Sequence, residues 1–170
     1  MTRRQGREWA LQMLCQFDVN PVDSLEDAMA SFWQQQLEIE NEQREEFPDL
    51  SPVIGHDEKD LKAIALFAEI RAFAEERVVG VMNSRAALDA ELEPFLDNWS
   101  FYRLGLVERN VLRLGAWEIK NVPSIPAPIA INEAVDLSKY FSETKSGRFV
   151  NAVLDKYAKN LAEQPQVFQP

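Results

Sequence analysis

The 170-residue chain is predicted to be all-α, with about seven helices. Three observations carry that prediction. Apolar residues recur at the 3.6-residue period in segment after segment. No stretch keeps the apolar–polar alternation of a half-buried strand. Proline-bearing turns interrupt the period at separated places and cut the chain into helix-length pieces.

The elements follow in order. In the first helix Ala10, Met13, Leu14 and Phe17 share a face, Thr2 and Gln5 fit a capping box, and Asn20-Pro21 ends the run. Asp23 or Ser24 caps a second helix bearing Leu25, Met29, Phe32 and Trp33, which fades into an acidic stretch. "FPDLSPVIGHDEK" reads as a loop. From Asp57 a long helix carries Leu61, Ile64, Ala65, Ala68 and Ala72 on one stripe, and Gly80 marks its end or a break. Met82, Leu88 and Leu92 continue helically as far as a turn at Trp99-Ser100. The next helix sets Leu104, Val107, Val111 and Leu114 on one face and Leu112, Gly115 and Ile119 on another, so it is expected to be central. After the loop "NVPSIPAP", Pro128 suits the first turn of a helix built on Ala130, Ile131, Ala134, Leu137 and Phe141. The last helix uses Phe149, Val150, Val153, Leu154, Tyr157 and Leu161.

Composition narrows the class. An apolar content of 46% suits one compact domain or two small subdomains around a shared core. No apolar run reaches the ~18 residues that a membrane span needs, so no membrane is expected. The start "MTRRQGREW" lacks the apolar region of a signal peptide, and the single cysteine, Cys15, allows no internal disulfide. Together these point to a reducing cytoplasm.

The net charge of −10 is unevenly spread. Nine acids and two bases fall between Leu37 and Asp60, so stretch 37–58 reads as an acidic insertion or loop. A negative total argues against non-specific grip on nucleic acid, yet a local basic surface remains able to bind it.

Enzyme chemistry finds little support. The six glycines are too dispersed for a phosphate-cradling loop, and one histidine with one cysteine cannot make a Cys/His zinc site. His56 reads as a solvated loop residue, and Cys15 as a packing residue with no obvious basic partner. Glu45-Glu46 and Glu75-Glu76 read as solvated helix faces. A non-enzyme without metal or cofactor is expected.

Basic residues gather at two helix starts. Arg3, Arg4 and Arg7 lie within one turn, where cations oppose the helix macrodipole, so local stability does not call for them. They fit either a solubilising end or a phosphate-binding cluster. Lys145 and Arg148 repeat the pattern, with Gly147 leaving backbone N–H groups open to an anion. Phe149 and Phe141 fit the core by period, or a face on which bases stack. Two basic lips with aromatics suit single-stranded RNA better than duplex, because stacking needs splayed bases.

"AINEAVDLSKYF" followed by "RFVNAVLDKYAK" resembles the C-terminal signature of the NusB family of transcription antitermination factors. "VERNVLRLGAWEI" resembles that family's central helix, and "RRQGREWALQMLCQFD" its arginine-bearing first helix. The resemblance implies two small packed helical bundles in one NusB-like domain: an N-terminal subdomain over 1–80 and a C-terminal one over 81–163. It implies binding of boxA RNA as a heterodimer with NusE, within an RNA polymerase antitermination complex acting on ribosomal RNA operons in the bacterial cytoplasm. A homodimer stays open.

By position, the resemblance assigns RNA binding to Arg3, Arg4, Arg7, Lys145, Arg148 and Phe149, the two lips forming opposite walls of an RNA track. It sets Cys15 and Glu108 against NusE. Cys15 stands where an aromatic is usual, Lys145 stands where an acid is expected, and the acidic stretch exceeds the family's need. Two alternatives remain: a protein-only helical adaptor, and an RNA-binding module related to an RNA methyltransferase.

Overall fold

The computed structural model describes residues 2–46, 61–97, 99–143 and 145–164. Among them run seven α-helices and no strand. The helices are α1 (Thr2–Val19), α2 (Leu25–Glu46), α3 (Leu61–Asn83), α4 (Arg85–Leu92), α5 (Leu106–Asn121), α6 (Ala127–Phe141) and α7 (Ser146–Glu163). Short 3-10 turns cover Glu93–Phe95 and Phe101–Arg103. No described helix is long and apolar enough to cross a membrane. The chain divides into two compact units between Glu76 and Arg77, a little before the boundary read from the sequence.

In the first unit, α1 buries the expected Ala10, Met13, Leu14 and Phe17, with Leu11 beside them. Ser24 begins α2, its Oγ accepting the Asp27 backbone N–H at 3.2 Å and so satisfying an otherwise orphaned donor. Phe32 and Trp33 then meet Trp9 in a cluster with ring centroids 5.3–5.9 Å apart. Trp33 also takes the edge of Phe67 at 5.6 Å and donates its indole N–H to Glu75 at 2.8 Å.

Two expectations need correcting here. The stripe Leu61, Ile64, Ala65, Ala68 and Ala72 is exposed, and Ile70 and Ala74 are buried instead. The first half of α3 carries apolar residues nearly all round, so period alone could not choose a face; the aromatic cluster chose the side bearing Phe67. The acidic stretch 37–58 is not all loop. α2 continues helically through Glu46, and Glu40 is buried. The loop "FPDLSPVIGHDEK" and His56 lie outside the described residues.

In the second unit α5 is central, buried without interruption from Asn110 to Ala116 and packed on both α6 and α7. Gly115 makes that possible: a Cβ there would stand 2.7 Å from a Leu154 methyl and 3.3 Å from the Ala134 Cβ. α3 passes Gly80 without ending, because Gly80 is a contact point: a Cβ would fall 2.2 Å from the Trp117 indole. The break comes at Ser84, whose hydroxyl donates to the Gly80 carbonyl at 2.6 Å.

Buried charges in this unit are paired. Arg113 holds Asp89 through two hydrogen bonds of 2.7 and 2.8 Å, reaches Asn110 at 3.0 Å and lies over the Phe101 ring. Arg77 pairs with Glu118 at 2.5 Å, both side chains being buried. Such pairs offset their desolvation only when the forks are well matched, as they are at Asp89. Tyr157 donates to Glu91 at 2.8 Å; burial, then the neighbouring carboxylate, pushes its phenol well above the ordinary value.

Candidate nucleic-acid interface

The first helix does not present its three arginines alike. Arg3 and Arg4 are exposed, and Arg4 makes an i,i+4 pair with Glu8 at 3.2 Å that solvent keeps weak. Arg7 is 3% exposed, its guanidinium 5.4 Å from the centroid of the Phe73 ring. That ring reaches α1 because residue 6 is glycine; a Cβ there would stand 2.5 Å from it. Arg7 therefore belongs to the packing of the first unit, and the expected exposed cluster shrinks to Arg3 and Arg4. Cys15, on the same helix, is half-buried and free of any disulfide.

The second unit carries the more developed surface. An open groove of about 370 Å³ is lined by Trp99, Arg103, Leu104, Glu108, Lys145 and Phe149, with Gly105 and Ser146 completing it. Lys145 and Arg148 are exposed at the start of α7, and Phe149 is half-buried at the groove. The helix start is not the bare anion site that Gly147 suggested. Gly147 is buried where α7 meets α6, and a Cβ would come 2.9 Å from the Lys139 side chain.

Glu108 lines the same groove as Lys145 and Phe149. Its Oε1 accepts hydroxyl hydrogen bonds from Ser142 at 2.5 Å and Ser146 at 2.6 Å. Burial raises its pKa, but the two hydroxyl donors together with its own backbone N–H outweigh burial and leave the carboxyl below its ordinary value. In the first turn of α5 its charge also suits the helix dipole.

Sequence reasoning missed Trp99 and Arg103. Trp99 is 60% exposed, which is uncommon for the largest apolar side chain, and Arg103 is exposed beside it in the groove. The signal was the interleaved aromatic and basic run "WSFYR", read only as a turn.

The comparisons agree with this architecture. The NusB family profile matches residues 4–159. A transcription antitermination protein NusB of Listeria innocua is 34% identical over 158 residues, spanning 93% of this chain and 97% of that protein. One of Sorangium cellulosum is 48% identical over 93 residues, spanning 55% of this chain and 66% of that protein. A solved complex of the antitermination factors NusB and NusE with double-stranded RNA shares the fold, with a TM-score of 0.64 at 24% identity, over 94% of this chain and 97% of that one. The chain belongs to the NusB family.

Proposed function

We propose that this chain is an RNA-binding transcription antitermination factor of the bacterial cytoplasm. It acts with NusE to keep RNA polymerase processive through ribosomal RNA operons. The observation that carries the reading is the groove of the second unit, where Trp99, Arg103, Lys145 and Phe149 line one hollow. Cations at its edge suit phosphates, and exposed ring surface suits unstacked bases. The preferred ligand is therefore single-stranded RNA, and the family resemblance makes it boxA, although the NusB of similar fold was captured with a duplex. Arg3, Arg4 and Arg148, all exposed, add phosphate contacts, whereas Arg7 is occupied inside the first unit. Relatives named as antitermination proteins supply the biological setting. Contact with NusE falls to Cys15 and Glu108, by their positions in the family pattern.

A filter-binding titration with single-stranded boxA RNA, the matching duplex and a scrambled strand tests this, each with and without NusE. The expected result is preference for single-stranded boxA, tightened by NusE. Binding of NusE without any affinity for RNA would instead identify a protein-only adaptor.

A further inference from the structure

One carboxylate oxygen joins the two ends of the turn that presents Lys145, beside the Ser146 N–H bond to the Glu143 carbonyl at 2.9 Å and the Ser142–Ser146 hydroxyl contact at 3.2 Å. Ser142 terminates α6 and Ser146 opens α7, and both hydroxyls donate to Oε1 of Glu108, on the first turn of α5. Lys145, the residue just before α7, sits between those anchors and at the groove. The other carboxylate oxygen lies over Gly105, so a Cβ added there would make the carboxylate shift.

We propose that Glu108 is a positioning residue, clasping the end of α6 to the start of α7 so that Lys145 is held ready for an RNA phosphate. The proposal rests on the RNA-binding reading above and adds to it a task inside the chain for a residue that family position assigns to a protein partner. The physics separates two effects of the same side chain. As a charge, Glu108 lowers the potential that attracts phosphate, so removing the charge alone tightens binding. As a double acceptor, it fixes the turn, so removing the acceptor loosens Lys145 and costs affinity. A carboxamide keeps an acceptor oxygen and loses the charge, whereas a methyl group loses both.

The experiment measures binding of single-stranded boxA RNA to the full chain without NusE, so no partner contact enters. Glu108→Ala and the pair Ser142→Ala with Ser146→Ala should each weaken binding about three- to tenfold. Glu108→Gln should restore wild-type affinity or exceed it. Lys145→Gln should weaken binding in the wild-type chain and cost nothing further in the Glu108→Ala background. Gly105→Ala, at an ordinary backbone φ of −56°, displaces the carboxylate without touching the serines and should follow Glu108→Ala, which keeps the test alive if that variant folds poorly. Wild-type affinity in Glu108→Ala, equal loss in Glu108→Gln, or full additivity with Lys145→Gln would each overturn the clasp. A wild-type chain with no RNA affinity would overturn the RNA reading beneath it.

Discussion

Arg7 separates the two meanings of an arginine near a helix start. Its neighbours Arg3 and Arg4 are exposed, yet Arg7 is 3% exposed against the ring of Phe73. Glutamate at position 7 would lose the cation–π contact and bury an unmatched charge. Arg7→Glu should therefore lower stability by about 2–4 kcal/mol, seen as a fall in thermal melting. Arg3→Glu and Arg148→Glu should leave melting unchanged and weaken RNA binding about tenfold, since each replaces a solvated cation by a solvated anion. A stable Arg7→Glu chain would show that Arg7 is not part of the packing. A destabilised Arg148→Glu chain would show that this residue is structural.

Helix α2 and the contact of Gly80 with Trp117 invite tests of packing and charge. At Gly80 a methyl group would enter the space of the Trp117 ring, so the ring or the backbone would have to shift. Gly80→Ala should cost about 1–3 kcal/mol by overpacking, even though alanine is the better helix former. A melting temperature at or above wild type would refute that contact. On α2 the acids separate by burial: Glu40 is buried, while Glu38, Glu42, Glu45 and Glu46 are exposed. We propose that the exposed ones tune RNA affinity by lowering the nearby potential. Glu42→Gln with Glu45→Gln and Glu46→Gln should leave the fold intact and tighten RNA binding at low salt, the gain fading as salt is added. Excising the acidic stretch from residue 38 would instead remove more than two turns of α2 together with Glu40, and should destabilise the first unit. An affinity indifferent to the three substitutions at low salt would end the tuning role.

A chain with net charge −10 that binds a polyanion must do so through local contacts. Arg3, Arg4, Arg103, Lys145 and Arg148 are the exposed cations that the proposed reading assigns to it. If four or five of them meet phosphates, log affinity should fall with log salt at a slope of about −2.8 to −3.5, following the single-strand coefficient of ~0.7 per contact. A flat titration would mean that stacking on Trp99 and Phe149 dominates and that the cations are incidental.

What the sequence determined by itself follows from periodicity. Helices α1, α6 and α7 each carry one apolar stripe between polar flanks, and a stripe of that kind has only one side to bury. A cap at Asp23 or Ser24 and Pro128 in a first turn were readable for a similar reason, because capping and proline geometry depend on the nearest residues alone, and the structure chose Ser24. Tertiary structure decided what depends on residues distant in the chain. The buried side of α3 was chosen by the aromatic cluster around Trp33, and Gly80 became a close contact because Trp117 lies on it. Arg7 was drawn inside by Phe73, and Trp99 and Arg103 joined Lys145 and Phe149 at one groove. Local sequence reports the stiffness and pattern of a segment. Which partner fills the space beside it is a property of packing, and packing is chosen by all the helices together.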